Sequence, residues 1–135
     1  MTITTRCEAC GGVLTLDTGQ HIERGRLWWG TEGACQSCPI AWCEQDFGDA
    51  TPEEIRQALL AEHGPARLRL TAREASAVPV LRALREVHDL PLAQARAMAN
   101  ELKTTGLVGT FVEMELVASR LRHHSVEVTV ETSSG

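Results

Sequence analysis

Apolar positions follow no helical period over residues 1–50. Instead, short apolar runs are bounded by glycines: the first covers residues 13–16, and the second, residues 27–29, lies between Gly25 and Gly30. Such runs predict short strands joined by tight turns. The segment holds too few apolar side chains for a large core, which is typical of a ribbon.

A helical pattern begins at Thr51. Residues 51–54, Thr-Pro-Glu-Glu, combine a capping residue, a proline at the first helical position and a glutamate at the third. Apolar side chains then recur at helical spacing until Gly64 and Pro65 end the run. The pattern predicts an amphipathic helix within residues 51–65 that connects the two halves of the chain.

After this connection, strand and helix patterns alternate. Residues 68–70, 107–111 and 126–130 predict three strands, the last from strictly alternating valines. Helical spacing predicts three helices, of which the first two open at Pro79 and Pro91. The predicted order is β-α-α-β-α-β, and the predicted class is an α+β sandwich with three helices on one face of a three-stranded sheet.

Four of the five cysteines form two Cys-x2-Cys pairs, with 24 residues between the pairs. A two-residue spacer lets both thiolates of one turn face one ion, and two such turns complete the tetrahedron that zinc prefers. The pattern predicts one structural Zn²⁺, because four thiolates leave no position for water. Its predicted ligands are Cys7, Cys10, Cys35 and Cys38. The alternatives are buried free thiols or a redox pair, although a redox pair usually opens a helix.

The fifth cysteine, Cys43, admits three interpretations. We favour a small buried side chain beside Trp42 and Phe47, over a reactive nucleophile or a replacement for Cys38 as a ligand. His21 could replace one of the metal ligands, but we favour a solvated histidine in a loop.

Two adjacent histidines, His123 and His124, are predicted to be solvated. Neighbouring helical residues point in different directions, so they do not form a metal pair.

Trp28 and Trp29 are candidates for anchoring a protein partner or, with Arg24 and Arg26, for stacking bases. Successive strand residues face opposite ways, so one tryptophan is expected in the core and one in solvent. Residues 1–50 carry three Arg against seven Asp and Glu, a formal charge of −4. Such a charge favours a protein partner, because nucleic-acid binders match phosphates with basic residues.

The whole chain has 135 residues, of which 43% are hydrophobic and 23% charged. It contains no apolar run of the roughly 18–20 residues that span a bilayer, and its N-terminus lacks the apolar core of a signal peptide. We therefore expect a cytoplasmic protein with reduced or metal-bound cysteines. No phosphate-binding loop or Ser/His/Asp arrangement is evident, so we expect no enzymatic activity.

Residues 80–85 (Val-Leu-Arg-Ala-Leu-Arg) and 89–96 (Asp-Leu-Pro-Leu-Ala-Gln-Ala-Arg) resemble the C-terminal domain of the bacterial ribosomal stalk protein. The resemblance covers roughly residues 66–131 and implies that family's α+β fold. Basic residues on two helices of that family contact translation GTPases. The matching positions in this chain are Arg82, Arg85 and Arg96.

The sequence departs from the stalk family in places: Ala93 stands where the family has lysine, and the ribbon replaces its dimerising helices. Residues 106–113 also resemble the Clp protease adaptor, which shares the fold and reads N-terminal degrons. Residues 71–74 replace that adaptor's Asn-Asp-Asp motif, and Lys103 replaces its pocket histidine. The second resemblance therefore implies the fold and not degron recognition.

These observations predict a zinc ribbon over residues 1–50, a connecting helix over 51–65 and a stalk-like domain over 66–135. The favoured function is protein binding, as an adaptor, a regulator or an immunity-type inhibitor. The expected partner carries an acidic patch that faces the arginines of the helices, since the planar guanidinium pairs well with carboxylates. The alternatives are a ribosome- or nucleic-acid-associated factor that uses the ribbon, and an enzyme that uses Cys43.

Overall fold

The computed structural model describes residues 2–48, 50–71 and 76–132. It has the mixed α+β class predicted from the sequence, with helices and antiparallel sheets. The chain divides into two compact units, Met1–Glu62 and His63–Gly135. Residues 72–74, at the position of the adaptor's pocket motif, and the C-terminal limit predicted at Gly135 lie outside the described residues.

The first unit contains an antiparallel sheet in which each strand pairs with the next along the chain. Its strands are β1 (Thr2–Arg6), β2 (Val13–Glu23), β3 (Arg26–Cys35) and β4 (Ala41–Gly48). Helix α1 (Glu53–His63) follows the sheet and begins two residues after Thr51. The connecting helix is thus present, with all but its last residue in the first unit.

The central hairpin is longer than the sequence pattern predicts. Strands β2 and β3 pair from Glu23 and Arg26 at the turn through Gly19 and Gly30. Arg24 and Gly25 form the two-residue turn, with positive φ at 52° and 73°, as the commonest hairpin turn requires. The predicted strands ended at glycines, but a pair of facing glycines keeps its backbone hydrogen bonds and so need not end a strand. Strands β1 and β4 were not predicted.

The second unit has a three-stranded antiparallel sheet with the order β6-β5-β7. Its elements are β5 (Ala66–Leu70), α2 (Ala77–His88), α3 (Leu92–Thr104), β6 (Leu107–Gly109), α4 (Phe111–His123) and β7 (Val128–Thr132). Helices α3 and α4 pack against the strands, and α2 packs against both of these helices.

The hydrophobic core of the second unit takes residues from its helices and from all three strands. Leu68 on β5, Leu84 on α2, Leu102 on α3 and Leu121 on α4 are almost completely buried. Burial of such a side chain contributes about 1.5–3 kcal/mol. The second unit therefore has its own apolar core, which the first unit lacks on this scale.

Helix α4 begins earlier than the sequence pattern suggests. Thr110 caps the helix, since its hydroxyl accepts a hydrogen bond from the Glu113 amide at 3.1 Å while the Glu113 carboxylate accepts one from the Thr110 amide at 2.8 Å. This capping box ends β6 at Gly109 and places Phe111, predicted in the strand, at the first helical position. Among the described residues, no helix combines the length and apolar character needed to cross a membrane.

Candidate metal centre

Two backbone turns carry the paired cysteines. In the first turn, the Cys7 amide donates to the Gly12 carbonyl and the Gly11 amide donates to the Cys7 carbonyl, both at 2.8 Å. In the second turn, the Cys35 amide donates to the Ile40 carbonyl at 2.9 Å. Each turn joins two strands of the sheet, so the strands hold both ends of each cysteine pair.

The register of the central hairpin brings these turns together. Strand β2 begins just after the first turn, and β3 ends at the second, with Leu14 paired to Cys35. The Gln36 amide extends this pairing by donating to the Val13 carbonyl at 2.9 Å. Cysteines 25 to 31 residues apart in sequence therefore meet at one end of the sheet.

The four predicted ligands form one cluster. The ligand atoms of Cys7, Cys10, Cys35 and Cys38 all lie within 4.8 Å of one another. The sulfurs of Cys7 and Cys38 are 3.9 Å apart, and those of Cys10 and Cys35 are 3.5 Å apart. Zn–S bonds of about 2.3 Å in a tetrahedron separate the ligand sulfurs by about 3.8 Å. The geometry is therefore compatible with one structural metal ion held by four sulfurs.

Backbone amides favour the thiolate form at two positions. The Gly12 amide donates to the Cys10 sulfur, and the Ser37 amide donates to the Cys35 sulfur, both at 3.4 Å. In each turn, the amide two residues after one cysteine of the pair faces that cysteine's sulfur. This is the second cysteine in the first turn and the first cysteine in the second turn. Such contacts hold the ligand orientation and offset negative charge at a metal site.

Without a metal ion, the thiols of Cys10 and Cys35 have very different pKa values. The Ser37 amide lowers the pKa of Cys35 to about 6 against the opposing effect of desolvation. The Gly12 amide favours the Cys10 thiolate, but hydrogen bonds with Cys35 and Cys38, together with desolvation, raise the pKa of Cys10 to about 12. A metal ion would displace the thiol protons, since cysteines bind metal ions as thiolates.

Gly12 permits the two turns to approach closely. A Cβ atom at this position would lie 2.6 Å from the Ser37 hydroxyl oxygen, 2.7 Å from the Ser37 Cβ and 3.2 Å from the Cys10 sulfur. Tight turns were predicted between the short strands, but this contact with Ser37 was not, because only the folded hairpin brings the two turns together.

Cys43 is exposed, so the favoured prediction of a buried side chain is wrong. The residue lies on β4 and pairs with Glu32 on β3. Its neighbour Trp42 points to the other side of the sheet, where it covers Gly33. Alternation along the strand therefore places the Cys43 thiol on the solvent side, and it is not part of the four-sulfur cluster.

The two candidate tryptophans on β3 differ in their surroundings. Trp29 is 8% exposed and belongs to the buried side of the sheet. Trp28 is half-buried rather than fully exposed, because its ring packs against Phe47 at 4.6 Å and against His21 at 6.1 Å between centroids. His21 lies in β2 and not in a loop as predicted. The buried indole nitrogen of Trp28 has no hydrogen-bond partner among the described residues.

The three candidate arginines are exposed on two adjacent helices. Arg82 and Arg85 lie on α2, and Arg96 lies on α3. The Arg85 Nε donates to the Leu90 carbonyl at 3.2 Å, which ties this side chain to the connection between the helices.

The histidines at the end of α4 differ from each other. His123 is exposed, but His124 is partly buried and contacts both carboxylate oxygens of Glu86 at 3.0 Å, so it is not simply solvated as predicted. This hydrogen bond, supported by the nearby charges of His124 and Arg120, holds the pKa of Glu86 below its usual value of 4.5. The cluster therefore joins α2 to the end of α4.

Comparison with protein-family profiles, with curated proteins and with solved structures finds no match for this chain.

Proposed function

We propose that the chain is a non-enzymatic protein-binding module whose first unit contains one structural Zn²⁺. The assignment of a metal ion is based on the closed cluster of four sulfurs. Soft thiolates in a tetrahedral arrangement suit zinc, and four protein ligands leave no position for a reactive water. When bound, zinc supplies folding free energy to a unit that has little apolar core.

The protein-binding surface that we propose lies on α2 and α3. Arg82 and Arg96 extend from it into solvent. Each lies four residues after an exposed apolar side chain, Val78 at 57% exposure and Leu92 at 44%. Residues four apart on a helix are neighbours, so charge and apolar surface alternate there. Such a surface favours a protein partner that presents carboxylates beside apolar side chains.

The metal assignment can be tested by native mass spectrometry and elemental analysis of the purified full-length chain. We expect one zinc ion per chain, lost in Cys7→Ser because only three sulfurs remain. The matched control is Cys43→Ser, which removes an exposed thiol outside the cluster and should keep its zinc. A chain without zinc, or loss of zinc in the control, would contradict the proposal.

The binding surface can be tested by cross-linking in the native cell, followed by recovery of the tagged chain. We expect Arg82→Glu combined with Arg96→Glu to lose a partner that the unaltered chain recovers in stoichiometric amount. The control, Arg24→Glu combined with Arg69→Glu, changes the charge equally at exposed positions outside α2 and α3. A partner retained by the first variant would count against this surface, and recovery of RNA alone would favour the nucleic-acid alternative.

A further inference from the structure

The solvent side of the four-stranded sheet carries three rows of paired residues. We call this side the outer face. Its rows follow from the antiparallel register, because residues that pair across strands point to the same side. Given in the order β2, β3, β4, the rows are Asp17-Glu32-Cys43, Gly19-Gly30-Gln45 and His21-Trp28-Phe47.

The middle row forms a trough. A Cβ atom on Gly19 would meet no atom within 4 Å, so the space above this residue is open. Above Gly30, the Gln45 side chain closes one end, since a Cβ there would lie 3.2 Å from the Gln45 Cγ. The resulting depression has a volume of about 240 Å³ and is lined by the first two rows and, from the third row, by His21.

The two walls of the trough differ in chemistry. One wall carries the carboxylates of Asp17 and Glu32. The Asp17 carboxylate accepts a hydrogen bond from the Thr2 hydroxyl at 3.2 Å. The Glu32 carboxylate is exposed, and no hydrogen bond or ion pair to it is found within the described ranges. This wall therefore presents the Glu32 carboxylate to the solvent.

On the other side, His21 lines the trough and begins an aromatic row. The Trp28 ring packs between His21 and Phe47, and the Arg26 guanidinium lies 5.3 Å from the Phe47 ring centroid. Phe47 remains 43% exposed despite these contacts. The walls are four residues apart along each strand, which corresponds to about 13 Å. On one face of an extended segment, a cationic and an apolar side chain four residues apart have this spacing.

We propose that the outer face docks a basic segment of a protein partner. A Lys or Arg side chain enters the trough and pairs with Asp17 and Glu32, while an apolar side chain nearby covers the row of His21, Trp28 and Phe47. The proposal rests on the protein-binding function proposed above and adds a second surface of opposite charge.

Charge complementarity decides the class of occupant. Residues 1–50 have a formal charge of −4, and the carboxylates of the trough repel a phosphate backbone. A divalent cation does not fit, because among the described residues only the four cysteines bring three or more ligand atoms together. The remaining class of occupant is a Lys or Arg side chain of a protein. Its long apolar stem can lie along the trough while its charge reaches the carboxylates.

The proposal can be tested by an NMR titration of the zinc-loaded full-length chain. The probe is the acetylated and amidated peptide Arg-Thr-Ser-Thr-Leu, and the control peptide is Glu-Thr-Ser-Thr-Leu. We expect the basic peptide to shift the amide signals of Gly19 and Gly30 and the indole signal of Trp28. The acidic peptide should leave these signals unchanged.

Two variants and a control locate the binding. Asp17→Asn with Glu32→Gln should weaken binding about tenfold, because two ion pairs are lost. Gly19→Leu should abolish it by filling the trough, and unchanged zinc content will show that this variant still folds. Glu54→Gln with Glu101→Gln removes the same charge at exposed positions elsewhere and should bind as the unaltered chain does.

Several results would overturn the proposal. These are shifts confined to other residues, equal affinity in the Asp17 and Glu32 variant, or the same shifts with oligouridylate, which would indicate base stacking on the aromatic row. The titration needs no cellular partner. The trough can therefore fail while a partner is still recovered through α2 and α3, and the reverse result would refute only the proposed α2–α3 surface.

Discussion

The contact between Gly12 and Ser37 shows how one residue can control a metal centre without being a ligand. Each cysteine pair orients its own sulfurs through local hydrogen bonds, but the distance between the pairs depends on how closely their turns approach. That approach leaves no room for a side chain at Gly12. Any larger residue there must push the Ser37 turn away and stretch the sulfur cluster.

We expect Gly12→Ala to weaken zinc binding by about 10–100-fold, the range found when groups that orient metal ligands are altered. Competition with a chromophoric chelator measures this affinity. Gly19→Ala is the matched control, because the same methyl group meets open space on the same sheet. Equal affinities for the two variants would show that the Ser37 contact does not set the distance between the turns.

At the scale of elements, helix α4 depends on its first turn. The capping box formed by Thr110 and Glu113 satisfies backbone amides that have no partner inside the helix. Thr110 is only 4% exposed, so water cannot replace its hydroxyl fully.

Thr110→Ala should therefore lower the free energy of unfolding by about 1 kcal/mol, while Thr110→Ser, which keeps the hydroxyl, should lose less. Urea denaturation followed by circular dichroism measures both. If serine proves as destabilising as alanine, packing of the threonine methyl group matters more than the cap.

The ion cluster between α2 and α4 should make stability depend on pH. The pKa of Glu86 is lower in the folded chain than its usual value of 4.5, because His124 stabilises the carboxylate. The contribution is therefore fully present above pH 4.5 and is lost as pH falls through the lower folded value. The charges are partly exposed, so the effect should not exceed about 1 kcal/mol.

Thermal unfolding of Glu86→Gln and the unaltered chain should differ at pH 6 and converge at low pH. Arg69→Gln, which removes a different exposed ion pair with Glu131, serves as a comparison. A stability difference that persists unchanged to pH 2 would show that the Glu86 charge is not responsible.

Element patterns in the sequence predicted the helices better than the ribbon. Capping residues, prolines and periodic apolar positions identify α1 to α4, because these signals are local. The edge strand β4 lacked such a signal, since its residues are almost all exposed. The spacing of the cysteines predicted the sulfur cluster. The trough could not be predicted without the strand register. However, Gly19 and Gly30 are equally far from the turn at Arg24 and Gly25, and a hairpin prediction could have used this symmetry to pair them.

At the scale of the whole molecule, the two units derive their stability from different sources. The core cluster lies entirely in the second unit, whereas the first unit contains the sulfur cluster. Metal removal should therefore unfold the first unit and leave the second unit folded.

This difference can be measured optically, because all three tryptophans lie in the first unit and the chain has no tyrosine. A strong chelator should change tryptophan fluorescence and near-ultraviolet circular dichroism while most of the helical signal persists. Added zinc should restore both signals. Simultaneous loss of the helical signal would contradict independent stabilisation of the units.

The strand order of the two sheets also sets the sequence of events during synthesis on the ribosome. In the first sheet every strand pairs with its immediate neighbour, so pairing can proceed as the chain emerges. In the second sheet the central strand β5 pairs with β7, which is the last described strand. We therefore expect a nascent chain to complete its ribbon early and to hold β5 unpaired on one side until β7 has been synthesised.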